Sequence, residues 1–366
     1  MRILCAPDSF KETLDAPAAA EAMAQGARAE GGQAETCPVA DGGEGTLEAL
    51  LIAGNGRRES VPTLDPLGRP IQADIGFLPE ANLAVIEMAA ASGLGLLSPQ
   101  ERNPLRTSSF GTGQLIAIAA REASRILLAV GGTATVDGGC GLLQALGTRF
   151  LGQIGEPLED LLTGGGLTRI ASIETPVGLP MIDVAVDVDV PLLGEHGAAR
   201  LFGPQKGADP SAVAILDAGL LHLADLLDPD GVLRCHPGTG AAGGAAFGLH
   251  AALDARLCSG IDLVLDAIRF DERARDADML IVGEGCLDEQ SLRGKAAIVT
   301  ARRASHAHVV AVCGRVGAGW EAALREQGGP IDSVVSLVDR FGEQRAMQAT
   351  ADCVRDVVAE LTATAR

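Results

Sequence analysis

Of the 29 basic side chains in this sequence only Lys11, Lys206 and Lys295 are lysine; the rest are arginine. A chain that uses Arg for its generic cations keeps Lys where a compact ammonium is needed, for instance against a phosphate in a tight site that a planar guanidinium does not fit. Each lysine sits in a segment that reads as a loop: Asp8-Ser9-Phe10-Lys11, Gly203-Pro204-Gln205-Lys206-Gly207, and Gly294-Lys295 at the start of a helix. The chemistry to expect is anion handling.

Acids and glycines gather in similar places. Asp41-Gly42-Gly43-Glu44-Gly45-Thr46-Leu47-Glu48-Ala49-Leu50 and Asp137-Gly138-Gly139-Cys140-Gly141-Leu142-Leu143-Gln144-Ala145-Leu146 share the pattern D-G-G-x-G-x-L-x-A-L. Each puts an acid and backbone N–H groups at the amino end of a helix, as two walls of one anion site or as a repeated helix cap. Gly131, Gly132 and Thr133 follow an apolar strand and suit close backbone approach to a ligand. In Asp183-Val184-Ala185-Val186-Asp187-Val188-Asp189, strand alternation puts 183, 187 and 189 on one face, with Asp187 and Asp189 about 7 Å apart. One of that pair can direct a substrate hydroxyl while the other helps hold Mg²⁺. Glu284 and Asp288, after another strand, are further metal candidates, with Lys295 for a phosphate.

The elements that position these residues alternate. The sequence predicts a strand over 2–7 and a helix over 15–29, with Asp15 as cap and Pro17 in the first turn. A helix follows over 46–53, then a Pro/Gly-punctuated stretch at 62–70 that reads as a domain crossing. Strands are expected at 83–88, 126–130 and 182–188. From 279 onward strand (279–282), helix (291–305), strand (309–312), helix (319–327), strand (334–337) and a last helix to 365 predict a parallel doubly wound sheet. At 366 residues there is room for two domains. The expectation is a discontinuous domain of 1–64 and 275–366 with a second α/β domain, 65–274, inserted.

Composition excludes several classes. A formal charge of −19, with 2% aromatic residues and no Tyr, disfavours nucleic acid and anionic lipid. Gly, Pro or a charge interrupts every long apolar run, so no membrane span is expected. The amino terminus does not read as a secretory signal. The eight cysteines contain no CxxC pair and read as reduced thiols of a cytoplasmic protein. No GxxxxGK[ST] is present. Gly238-Thr239-Gly240-Ala241-Ala242-Gly243 matches GxGxxG, but Cys235-His236-Pro237 precedes it instead of a strand, which weakens the reading as an NAD(P)-linked hydroxy-acid oxidoreductase. A non-catalytic binder of small carboxylates is the third class the residues allow, and a homo-oligomer is compatible with all of them.

Several segments resemble the bacterial glycerate kinase family, of the glycerate 2-kinase type. These are Ala6-Pro7-Asp8-Ser9-Phe10-Lys11-Glu12, Val39 to Thr46, Phe202-Gly203-Pro204-Gln205-Lys206-Gly207-Ala208 and Val282-Gly283-Glu284-Gly285, together with the glycine loop at 131–139, the acidic strand at 185–191 and Asp288 to Lys295. The sequence departs from the family at Val136 and Val190, where Asn is usual, and at Cys286, where Arg is usual. The resemblance implies a Rossmann-like α/β domain, a second α/β domain, a site in the cleft between them, and transfer of the ATP γ-phosphoryl group to D-glycerate with Mg²⁺. On that reading Asp189, or else Asp187, is the base, and Lys206 and Lys295 contact phosphate or carboxylate. Asp187 and Glu284 hold the metal. Asp8, Ser9, Lys11, Asp41, Gly42, Gly43, Gly45, Gly131, Gly132, Thr133, Asp137, Gly138, Gly139, Glu284 and Asp288 bind substrate or ATP.

Overall fold

The apolar run after Met1 forms a strand buried on both faces, which belongs in the interior of a parallel sheet covered by helices. The computed structural model describes all residues except 11, 12, 41, 44, 289, 290, 292–295, 305, 318, 319, 321–329 and 366. In chain order the strands are β1 (Arg2–Pro7), β2 (Gln33–Thr36), β3 (Arg57–Leu64), β4 (Pro70–Leu78), β5 (Leu83–Glu87), β6 (Arg125–Ala129), β7 (Arg149–Leu151), β8 (Ser172–Glu174), β9 (Met181–Ala185), β10 (Arg256–Cys258), β11 (Met279–Leu287), β12 (His308–Val316) and β13 (Ser333–Ser336). They fall into two units, 1–41 with 48–56 and 261–366, and 42–47 with 57–260.

The first unit holds a five-stranded parallel sheet in the order β13-β12-β11-β1-β2. Ile3, Cys5, Ile281, Val310 and Val312 point to one face and pack with Met23 of helix Ala16–Ala29 and Val354 and Val358 of helix Thr350–Thr364. Leu4, Leu280, Val282 and Ala311, of the opposite parity, are also buried, and helix Ala296–Arg303 packs on β11 and β1. Helices on both faces make the sheet doubly wound. The expected cap is present: the Asp15 carboxylate accepts from Ala18 N–H at 2.8 Å, with Pro17 in the first turn. Strand order reverses between β1 and β11, so the crevice at their carboxyl ends is where an open α/β sheet binds ligands.

The second unit is built on a six-stranded mixed sheet, β10-β9-β6-β5-β4-β3, parallel from β5 through β10 and antiparallel at β3-β4-β5. The Pro/Gly-rich stretch expected as a crossing is the β3–β4 hairpin. The Asp65 carboxylate holds its turn by accepting from Leu67 N–H and Arg69 N–H, both at 2.9 Å. Pro62 is tolerated because β3 is an edge strand. The chain therefore passes to the second unit at 56/57, since β3 pairs with β4, and returns at 260/261; the expected positions were 64/65 and 274/275.

Strand β9 stops at Ala185, short of the expected 188. Helix Pro210–Leu227 is long and apolar enough to cross a membrane by length and composition, but Leu216, Leu220, Leu223 and Ala224 lie in the core of the second unit. The helix expected at 319–327 lies almost wholly outside the described residues, and the single last helix is three: Leu337–Phe341, Glu343–Gln348 and Thr350–Thr364.

Gly26 shows how tightly the first unit is packed: a Cβ there would lie 2.3 Å from the Arg355 backbone oxygen on the helix it faces. Gly26→Ala gains about 1 kcal/mol of helix propensity but must separate two backbones, an overpacking cost of about 1–3 kcal/mol. The expected result is a lower melting temperature; an increase would show that the two helices can move apart freely.

Candidate functional site

At the switch point of the first unit, β1 hands the chain to Asp8 and Ser9, while β11 carries Glu284 at its carboxyl half. Asp8 N–H donates to Gly283 O at 2.9 Å, and Ser9 N–H donates to Asp8 Oδ1 at 2.6 Å, which fixes this first loop to β11. Asp8, Ser9 and Glu284 line one pocket of about 390 Å³. Arg315, near the end of β12, supplies a cation to the same wall, and Phe10, Val338 and Met347 make it partly apolar. Glu284 is 7% exposed, a carboxylate held largely out of water. Cys286 lines this pocket as a partly buried free thiol. Asp288 turns back on the chain, its Oδ1 accepting from Ser291 N–H at 3.0 Å.

The second unit offers the carboxyl ends of β5, β6 and β9. Asp187 and Asp189 lie on the exposed loop after β9 and not within the strand. Asp183, expected on their face, is instead a buried carboxylate ion-paired with Arg125 at 2.8 Å and Arg256 at 2.5 Å. Gly260 N–H donates to Asp187 Oδ1 at 2.9 Å. Gly42, at φ +90°, packs here: a Cβ on it would come within 2.8 Å of Ala185 Cβ and 3.1 Å of Asp187 Oδ2. Gly42 and the acidic loop thus meet within the second unit. Gly43 follows on the same turn.

Backbone donors expected to face a ligand are in part already used. Gly45 N–H and Leu47 N–H donate to Glu87 Oε1, at the end of β5, at 2.9 and 3.0 Å. Glu87 is thus the cap of helix Thr46–Ala53, a residue that sequence reading passed over although it ends an apolar strand. The second D-G-G-x-G turn is turned inward. Asp137, Gly138 and Gly139 are buried, and Asp137 accepts from Ser109 Oγ at 2.7 Å, Ser109 N–H at 2.8 Å, Gly139 N–H at 3.1 Å and Gly141 N–H at 3.3 Å. Burial pushes the Asp137 carboxyl up and these four donors pull it back. Only Gly131 and Gly132 of the glycine loop are exposed, just past β6.

Lys206 is 3% exposed. Its Nζ donates to Thr135 O at 2.7 Å and to Thr133 Oγ1 at 3.0 Å, beneath the loop after β6. Desolvation draws its pKa down from 10.5 to about 7, against the pull of Asp137. Lys11, Asp41 and Lys295 lie outside the described residues.

The GxGxxG match does not form a dinucleotide turn. A Cβ at Gly240 would sit 2.3 Å from Pro191 O and one at Gly243 2.1 Å from Thr135 O, so these glycines serve close packing inside the second unit. Among the described residues no three His, Cys, Asp or Glu side chains converge as a metal cage. Asp187 belongs to the second unit and Glu284 to the first, so neither unit alone holds both residues expected on a metal.

An α/β protein with acids and glycine turns at the carboxyl edges of two sheets is of the ligand-binding, open-sheet class. The chain belongs to the glycerate kinase family, whose model matches residues 3–366. It is 44% identical over 351 residues to a glycerate kinase of Halalkalibacterium halodurans, covering 93% of this chain and 91% of that protein. It is 40% identical over 356 residues to the glycerate 2-kinase of Escherichia coli K12, covering 93% and 92%. A solved structure described as a glycerate kinase 2 from Salmonella typhimurium LT2 superposes with a TM-score of 0.87 at 38% identity, over 100% of this chain and 98% of that one.

The buried ammonium makes stability depend on pH. Between about pH 7 and 10.5 the unfolded chain holds a proton on Lys206 that the folded chain releases, so this group adds stability as pH rises through that window and penalises folding below it. Lys206→Met removes that contribution. The melting temperature of the wild type, relative to the variant, is expected to climb from pH 7 to pH 10; parallel curves would mean that Lys206 keeps an ordinary pKa.

Proposed function

We propose that this chain transfers the γ-phosphoryl group of ATP to the 2-hydroxyl of D-glycerate, giving 2-phosphoglycerate and ADP. The observation that carries the reading is the placement of carboxylates at the carboxyl ends of parallel strands in both units, Asp8 just after β1 and Glu284 in the carboxyl half of β11 in one, and Asp187 and Asp189 on the loop after β9 in the other, within a chain that the family model matches over residues 3–366. An alcohol is hardly acidic, so a positioned carboxylate must take or direct its proton during in-line transfer. Asp189 is the first choice. Asp187, engaged by Gly260 N–H and packed against Gly42, is better suited to hold the loop and is the second.

The pocket of the first unit suits the nucleotide. Its volume exceeds what a three-carbon acid needs, and Phe10, Val338 and Met347 offer apolar contact for a base. Asp8 and Glu284 would repel bare phosphates, so the pocket fits a nucleotide that arrives with a hard dication. A Mg²⁺ bound there would neutralise phosphate charge, and Glu284 and Asp8 are the carboxylates of this pocket that would hold it. Glu284 is the first-choice ligand, with Asp187 retained as the second. Lys11, Lys295, Asp41 and the exposed Gly131-Gly132 turn complete the proposed contacts. Eight free thiols support a cytoplasmic location.

Incubation with MgATP and D-glycerate is expected to yield ADP and a product that enolase accepts directly. Acceptance only after a phosphoglycerate mutase is added would reassign the hydroxyl, and no glycerate-dependent ADP would sink the reading. Asp189→Asn is expected to lower kcat by about 10²–10⁴-fold with an unchanged melting temperature; near-normal turnover would pass the base role to Asp187.

A further inference from the structure

We infer that Lys206 is a positioning residue, which holds the loop after β6 through Thr133 and Thr135 and does not itself touch substrate. The inference rests on the kinase reading and changes the role expected of this lysine. Two of the three ammonium donors are spent inside the protein, on Thr135 O at 2.7 Å and Thr133 Oγ1 at 3.0 Å. The residue between them is held as well: Ala134 O accepts from Thr107 Oγ1 at 2.9 Å and Ala134 N–H donates to Ser92 O at 2.8 Å. Residues 133–135 are thus pinned one by one, and the next residues toward β6 are the exposed Gly131 and Gly132. Glycine has no side chain to hold its backbone in place, so the conformation of that turn depends on the bond Gly132 O accepts from Leu94 N–H at 2.9 Å and on the anchors just beyond it.

The charge has a matching arrangement. Asp137, two residues past Thr135, is the carboxylate whose field acts on Lys206, and it is itself fastened by Ser109 and two glycine N–H groups. Phe202 stands 6.0 Å from Nζ. A hydroxyl, a carbonyl and an enclosed pocket fit a small ammonium, whereas a planar guanidinium with five donors would leave several buried and unmatched. This explains why Lys persists here in a chain that otherwise prefers Arg. Thr133 Oγ1 accepts from the ammonium, so its own proton is left to donate elsewhere.

The test combines kinetics with hydrogen exchange on the full chain. Lys206→Met and Thr133→Val are each expected to lower kcat about 10- to 100-fold, the range for losing a charge-assisted hydrogen bond. The double variant is expected to be no worse than Lys206→Met, because both remove one linkage. Thr133→Ser is expected to stay within a few fold of wild type, and Lys206→Arg to fare no better than Lys206→Met. Independently of turnover, Lys206→Met is expected to speed amide exchange in residues 130–136. Losses that multiply in the double variant, rescue by Arg, or unchanged exchange would each overturn the inference. If Lys206→Met does not fold, wild-type kcat in Thr133→Val alone overturns it. A wild type that forms no ADP with glycerate would instead refute the kinase reading, and the exchange result would still decide whether Lys206 holds the loop.

Discussion

Strands in a parallel sheet all point the same way, so each delivers its following loop to one edge, and everything chemical in this molecule depends on that constraint. In the first unit the chain leaves β1 at Asp8, and Glu284 and Arg315 lie near the ends of β11 and β12, so that three residues far apart in sequence line one pocket. In the second unit β5 ends on Glu87, β6 leads into Gly131-Gly132 and β9 into the loop with Asp187 and Asp189. Covering helices keep the first unit's sheet apolar on both faces, which leaves its loops as the place where charge can stay near water.

Charge is distributed with the same economy. A chain of net charge −19 that handles a polyanion must present its positive groups locally, as helix ends, glycine N–H groups and a few cations. Several acids in the motif regions serve the frame instead. Glu87 caps a helix, Asp137 fastens a buried turn, and Asp183 is enclosed by two arginines. Carboxylates thus serve both as scaffold bonds and as the candidate site groups of the same unit.

That sharing limits what the sequence could reveal. The first strand, the helix capped by Asp15 and the strands of the first unit were legible because burial on both faces writes a continuous apolar run. The 62–70 stretch was misread because Pro and Gly mark hairpins and domain crossings alike, and the pairing of β3 with β4 is a long-range fact. The two D-G-G-x-G turns look identical in sequence, yet one meets the acidic loop and the other lies in the core, since what differs is the neighbour each packs against: Ala185 and Asp187 for Gly42, Leu223 for Gly138. The lysine bias singled out Lys206 as a contact for phosphate or carboxylate; the structure shows a buried side chain whose partners are Thr133 and Thr135, which no sequence pattern announces.

A crystal structure of the protein with Mg²⁺, a non-hydrolysable ATP analogue and D-glycerate tests the account most directly. Analogue density at the carboxyl ends of β1 and β11, against Asp8 and Glu284, and glycerate density beside the loop after β9 are the predicted result. Density for both ligands at the amino ends of the strands, or on outer helix faces, would contradict it.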